Sequence, residues 1–519
     1  MVSRLRGGGR LLFAALVVLA LAGLYGAAGL RHPPAAADAA AAAPARHVPV
    51  SSAVYACAAP GSAGVSAGSL AIAAAGGSAA GSAVVTRLVP GGSPAAGPAL
   101  ATVTGTGLLH VSNVRTAPAL PKTLQSGHPG SSPRVTTFAG RGGVIVAASG
   151  AMAQGLSVEQ TAAGRPTAAC GSPGTSTWFV APGQALAGNV ELYLMNTDSA
   201  PADAQVTAIT DITKSGPILG NADNGITVPP HGMVVQSLTG LLQSSKVMAL
   251  QVSTSVGRVV AALRESKSSV HAGSWIPAGL APSRHLVIPG LPRTSGSPEL
   301  YIAVPGGGTA AVKVTAVTQR GSYQPTGGTN IDLLGGTAYQ IPLSSMSGVA
   351  GALSLSASAP ILAAVLLPGG PTGTPGAIAV SGTAVQEQGV LAGSPAGAAG
   401  SADVILSAPG KAATVRVAVG NDTVAAAGQP GTVVQIKAGG SVVVPVHGPA
   451  GHRRAPLTVV VSPQRGSGPV YGGWTITAGA TLQSVQPVPS SLTWVPLPAV
   501  RAVLSAFTRG RRGGQSSPG

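Results

Sequence analysis

Glu191-Leu-Tyr-Leu-Met-Asn, Glu299-Leu-Tyr-Ile-Ala-Val and Asp403-Val-Ile-Leu-Ser-Ala share an acidic start followed by apolar residues, and they stand 108 and 104 residues apart. Each is followed by an alternating run: Ala204-Gln-Val-Thr-Ala-Ile-Thr-Asp, Ala311-Val-Lys-Val-Thr-Ala-Val-Thr and Ala413-Thr-Val-Arg-Val-Ala-Val-Gly. Next come two short apolar stretches about a turn, as in Ile226-Thr-Val-Pro-Pro-His-Gly-Met-Val-Val and Val434-Gln-Ile-Lys-Ala-Gly-Gly-Ser-Val-Val-Val. The units close on pairs such as Ala249-Leu-Gln-Val-Ser-Thr-Ser-Val-Gly-Arg-Val-Val-Ala-Ala-Leu, which reads as a hairpin. A more divergent copy starts at Ala53-Val-Tyr-Ala-Cys and ends in Val135-Thr-Thr-Phe-Ala-Gly-Arg-Gly-Gly-Val-Ile-Val-Ala-Ala. Several elements recurring in one order at a near-constant period argue against chance, even in a chain rich in Ala, Val and Gly.

Alternation of Val, Ile and Thr with polar residues, bounded by Gly, Pro, Asn and Asp, is the pattern of half-buried strands. Successive side chains face opposite ways, so the apolar set lines one face and needs a second sheet over it. About seven short strands in about 100 residues is the size of an immunoglobulin-like sandwich. A propeller blade repeats at roughly 40–45 residues, shorter than the period here. The fold predicted is all-β, tandem immunoglobulin-like modules after a single N-terminal transmembrane helix. The predicted division is a basic N-terminus (1–10), an anchor or signal (11–30) and a Pro/Ala tether (31–50). Four modules follow at 51–170 (the divergent one), 175–280, 285–385 and 390–485, then a Trp/Pro connector with a basic flexible tail (486–519).

The N-terminal reading rests on Arg4, Arg6 and Arg10 standing before Leu11 to Leu30, a run of 20 uncharged, mostly apolar residues. Twenty helical residues span about 30 Å, the thickness of a hydrocarbon core, and the basic flank orients the N-terminus inward. The length favours an uncleaved anchor, whereas the small residues from Ala35 to Ala45 offer sites for signal cleavage. Both outcomes place the bulk of the chain outside the cytoplasm, single-pass if anchored and secreted if cleaved. Two cysteines, Cys57 and Cys170, fit one disulfide in an oxidising compartment. Such a bridge stabilises by about 4–5 kcal/mol on the chain-entropy model; two free buried thiols are the other reading.

Of 519 residues, 75 are Gly and 44 Pro, only 8% are charged, and mean hydropathy is +0.39. Gly lacks the three-residue period of collagen, and charge is too sparse for a coiled coil. Only residues 11–30 form a run long enough to span, which excludes a polytopic helical membrane protein. Nothing nominates a carboxylate pair among 13 acidic residues, and the nine histidines form no metal-ligand motif. Asn221-Ala-Asp-Asn-Gly resembles a calcium loop without its distal Glu, and Gly64-Val-Ser-Ala-Gly lacks the strand-to-helix setting of a nucleophile elbow. No catalytic residue, cofactor or metal is expected.

Connectors carry Trp beside Pro and Gly: Trp178-Phe-Val-Ala-Pro-Gly, Trp275-Ile-Pro-Ala-Gly and Trp494-Val-Pro-Leu-Pro. Each ring either covers the end of a module or stacks on a ligand such as a glycan. With the Arg-flanked apolar run, the Pro/Ala tether and the Leu-Tyr-Leu strand starts, these connectors resemble an uncharacterised family of exported, membrane-anchored actinobacterial envelope proteins, a domain of unknown function. The Ala/Gly/Arg/Pro bias suits the same source. The resemblance implies an envelope location and carries no catalytic residues.

The net charge is +17. Arg501, Arg509, Arg511 and Arg512 lie in the tail and are candidates for contact with an anionic surface. Charge is not concentrated beside aromatic or helical readers, so no nucleic acid is expected. The functional expectation is a non-enzymatic, membrane-tethered scaffold or interaction platform of the cell envelope. Its expected partners are the membrane and an envelope protein or wall polymer. The alternatives are a binding module for wall carbohydrate or anionic polymer, and an accessory subunit of a glycan-processing enzyme.

Overall fold

The computed structural model describes residues 46–497 apart from 59–67, 75–79, 92–100, 107–121, 126–141, 163–166, 184–188, 213–215, 220–224, 243–244, 267–273, 330, 369–375, 394–399, 421–430, 447–456, 479–480 and 491–492. The span predicted at 11–30 lies outside the described residues. Contacts divide the chain into residues 1–48 with 495–519, and residues 49–494. Arg46–Pro49 pairs with Trp494–Leu497 in a two-stranded sheet.

The second unit is all-β, and the sequence repeat is a repeat of strand pairing. In the second module, Asn189–Met195 pairs with Gly232–Ser237 on one side and Val260–Ser266 on the other, and Val260–Ser266 pairs onward with Ser274–Ile276. These strands form the first sheet of the module. Its second sheet runs Ser176–Pro182, Val247–Val256, Ala202–Thr210, with Gly216–Leu219 and Ile226–Val228 pairing along the last strand. The third module repeats this about Glu299–Val304 and Thr309–Thr318, the fourth about Gly400–Ala408 and Ala413–Gly420. In the first module, Gly68–Ala73, Ser157–Ala162 and Thr167–Ala169 form the first sheet. Its second sheet holds Ser52–Ala58, Gly143–Gly150, Ala80–Pro90 and Ala101–Thr106.

The closing pairs are not hairpins. Val247–Val256 and Val260–Ser266 follow each other directly, yet they lie in the second and first sheets respectively and do not pair. In the third module one 16-residue strand, Gly351–Leu366, does the work of both. Its residues 352–357 pair in the second sheet and 362–366 in the first. Pro360 lies between them, where its missing N–H costs no ladder bond. The turn pairs likewise cross between sheets, and each turn needs a residue of positive φ: Gly336 (76°), Gly439 (70°) and, in the second module, His231 (48°). Period-2 alternation specifies a strand equally well in either sheet, which is why a crossing reads as a hairpin in sequence.

Among the described residues the two layers of each module stack on those of its neighbours in a closed cycle. Short parallel bridges, Gly232 and Met233 with Val89 and Pro90 and Thr318 with Gly440, join the first module to the second and the third to the fourth edge to edge. Within the four modules, the two sheets share cores built on residues such as Ile72 and Val146, Leu192 and Leu250, Leu300 and Leu355, and Val404 and Val461. Between modules, the second sheet of each packs on the first sheet of the next. Leu88 and Ile145 meet Tyr193 and Met195; Val180 and Ala181 share a core with Tyr301 and Leu362; Val287 and Val317 meet Tyr471. Gly389–Gly393 of the fourth module packs on Gly68–Ala73 and Ser157–Ala162 of the first, closing the cycle. At this closure Val50 N–H donates to Thr493 O at 2.9 Å. Propeller blades also stack face to face around an axis. Each period here supplies two sheets, so its length does not by itself set the chain apart from that architecture.

Stacking on both sides explains the quoted motif. Glu299–Val304 is buried at every residue after Glu299, and Asn189–Met195 nearly so, because a sheet lies over each face. Strands covered twice read as continuous apolar runs. Ala202–Thr210, with half-buried residues alternating along most of its length, keeps the pattern of a strand with one drier face.

Candidate functional site

The inner strands of all four modules wall one chamber of about 510 Å³. Tyr55 to Ala58 and Ala168 to Ser172 come from the first module, Trp275 to Leu280 from the second, Ala377, Ile378 and Ser381 to Thr383 from the third, and Leu391 with Ser484 to Ser490 from the fourth. The volume falls in the range of small-molecule sites, roughly 300–1,000 Å³. The predicted disulfide is formed: Cys57 and Cys170 are bonded, with Cα atoms 4.7 Å apart. It ties Ser52–Ala58 of the second sheet to the end of Thr167–Ala169 of the first, and both cysteines lie in the chamber wall.

The chemical centre of the wall is Glu159, on Ser157–Ala162. Val158 packs in the core of the first module, and alternation turns Glu159 to the opposite face. Glu159 is 1% exposed, and its Oε2 has no hydrogen-bond partner. Burial pushes its carboxyl up to about 8. A carboxyl that cannot be hydrated or paired favours its neutral form. The described wall residues include no Lys, Arg or His. Burial also raises the Tyr55 phenol, so it stays neutral. Ser381 Oγ accepts from Leu280 N–H at 3.1 Å, joining the second and third modules at the chamber, and Gln486 Nε2 donates to Ser484 Oγ at 3.1 Å.

The acids and tyrosines of the motif strands are paired within their own sheets. Tyr193 Oη donates to Glu191 Oε2 at 2.9 Å, and Glu191 lies 3.5 Å from the Arg264 guanidinium. Burial, then the Glu191 charge, pushes the Tyr193 phenol up to about 12. Tyr301 Oη donates to Glu299 Oε2 at 3.3 Å, and Gln340 Nε2 donates to the same oxygen at 2.7 Å. Burial and Glu299 raise the Tyr301 phenol as well. The acidic start of each of these two motifs therefore holds a tyrosine two residues on, which shares its face of the strand.

Of the connector aromatics, Trp275 lies in the chamber wall with its ring 5.3 Å from that of Tyr193. Trp178 is half-buried against the core shared by the second and third modules, and its carbonyl accepts from Gly279 N–H at 2.9 Å. Trp494 is 47% exposed. Arg501, Arg509, Arg511 and Arg512 lie outside the described residues, as do Asn221 to Asn224, Gly64 to Ala67 and His447 to His452. Among the described residues no group of three or more His, Cys, Asp or Glu is placed to hold a metal ion.

Sequence reasoning passed over Glu159 and Trp474. In Ser157-Val-Glu-Gln-Thr-Ala, Glu159 occupies a position that any solvent-facing strand residue would, and only the sheet stacked over it buries it. Trp474 is fully buried in the fourth module, although the other tryptophans announce themselves by their connectors.

No curated protein matches the chain. Among solved structures, a chain in "Structure of infectious bursal disease virus Gx strain" aligns over 92% of this chain and 91% of that one. Identity there is 8% and the TM-score 0.09, too low to bear on fold or function. The model of a family of unknown function, DUF5719, matches residues 126–447, from the end of the first module into the fourth. The chain belongs to the DUF5719 family.

Proposed function

We propose that the protein is a non-enzymatic extracytoplasmic envelope protein, tethered by residues 11–30 and serving as a binding and interaction platform. The observation that carries this reading is the chamber: one site walled by all four modules, mostly apolar, with Glu159 the one carboxyl among its described lining residues. Such a wall suits holding a molecule better than proton transfer between paired groups. The Cys57–Cys170 bridge supports export, since disulfides persist in oxidising compartments. In the same reading each module is an immunoglobulin-like sandwich.

Mild extraction of the exported protein from the cell envelope, followed by native and denaturing mass measurement, tests this. The expected result is membrane-bound protein carrying a reproducible small molecule or protein partner, with the denaturing mass showing the state of the leader. Recovery of the protein in the cytoplasmic fraction, or repeatedly alone, overturns it. The exposure of Trp494 favours one further reading, stacking on wall carbohydrate, for which retention on isolated wall material weakens in Trp494→Ala.

A further inference from the structure

We propose that the chamber binds an amphipathic cation, a primary or secondary amine on an apolar body, with Glu159 as its counter-ion. This rests on the reading of the chamber as a binding site and names its ligand class. Two observations carry it. The first is Glu159 itself: a buried carboxyl in the wall with one oxygen unpartnered. A buried polar group left without a partner is costly, and a ligand that brings an N–H donor removes that cost.

The second is the rest of the wall. Among the described wall residues there is no cationic side chain to satisfy Glu159 or to repel a bound ammonium, and no second carboxyl. The same wall holds Tyr55, Trp275 and Leu391, which can cover an apolar body, with Ser381 and Ser484 as polar groups. An aromatic ring near an ammonium adds further attraction. A charge-assisted hydrogen bond from an ammonium to Glu159 is stronger than one from a neutral donor, and it offsets the long-range repulsion of cations by the chain's net charge of +17.

A neutral Glu159 gives up its proton to solvent, or to the free amine, as the ammonium–carboxylate pair forms, so charge inside the chamber stays balanced. A neutral ligand that donates one hydrogen bond gains only the weaker, uncharged contact.

The test is a fluorescence titration of the full chain, disulfide intact, with dansylcadaverine and with its N-acetyl derivative, which keeps the body and loses the charge. The expected result is saturable binding of the amine at least tenfold tighter than of the acetylated form. Glu159→Gln should weaken the amine at least tenfold and leave the acetylated form unchanged. Ala278→Trp, at an exposed part of the wall, should weaken both. Equal affinity of the two probes, amine affinity unchanged in Glu159→Gln, or no saturable amine binding overturns the proposal. The comparison of the two probes needs no variant, so it stands even where Glu159→Gln fails to fold. Envelope extraction reports separately on the platform reading, so the two fail independently.

Discussion

The same cross-strand position in the first sheet is built in opposite ways in different modules. In the second, third and fourth modules the pairs are Tyr193 with Ala262, Tyr301 with Ala364 and Ile405 with Gly473. A large side chain from the motif strand lies opposite a small one and fills the joint with the preceding module. In the first module the pair is Ala71 with Glu159: the small residue is on the motif strand and the large one opposite it carries a carboxyl. Three joints are filled from the motif strand, with the Tyr193 and Tyr301 hydroxyls bonded to acids of their own strands, and the fourth, where the cycle closes, places Glu159, whose Oε2 has no hydrogen-bond partner, beside the chamber. One architecture thus supplies both packing and a site, and the difference lies in which strand carries the bulk and whether its polar atoms find partners.

The largest expected break in that contrast is Tyr301→Ala. Tyr301 is fully buried, and its loss removes a filled joint and a partner of Glu299. Denaturant unfolding should show a loss of about 3–5 kcal/mol, the range for truncating a large buried side chain. A loss below about 1 kcal/mol would mean that the joint is not sealed by this ring.

Next in size is the pH dependence that Glu159 imposes. Its carboxyl is raised from the usual 4.5 to about 8, so the folded state holds the proton more tightly than the unfolded chain. Its contribution to stability is therefore greatest below pH 4.5, falls as pH rises from 4.5 to 8, and levels off above. Glu159→Gln should remove that slope and raise stability at about pH 8.5 by about 2–4 kcal/mol relative to the parent, with little change at about pH 4.5. Parallel pH slopes in parent and variant would show that Glu159 is solvated or paired in solution. The smallest effect belongs to Tyr193→Phe, which deletes only the hydroxyl bonded to Glu191. A loss of about 1 kcal/mol in thermal or denaturant unfolding is expected.

The repeat, the strand content and the pairing of Cys57 with Cys170 were legible in the sequence. Alternation marks strands, a constant period marks copies, and a chain with only two cysteines leaves one intramolecular bridge to form. Glu191-Leu-Tyr-Leu carried more than its alternation reveals, because burial on both faces is set by neighbours from another module. The crossing of Val247–Val256 and Val260–Ser266 between sheets was hidden for a related reason: which strand each pairs with is a long-range choice.

By itself, then, the sequence determined the elements: where strands start and stop, how many copies exist, and which residues are apolar enough to be covered. Local propensity and patterning act over a few residues and leave their mark in the chain. The tertiary structure decided that the copies stack in a closed cycle, that their inner strands wall a common chamber, and that Glu159 rather than any of the other acids is buried there. Those outcomes depend on faces from distant segments meeting, and a carboxyl acquires its chemistry only from what lies over it.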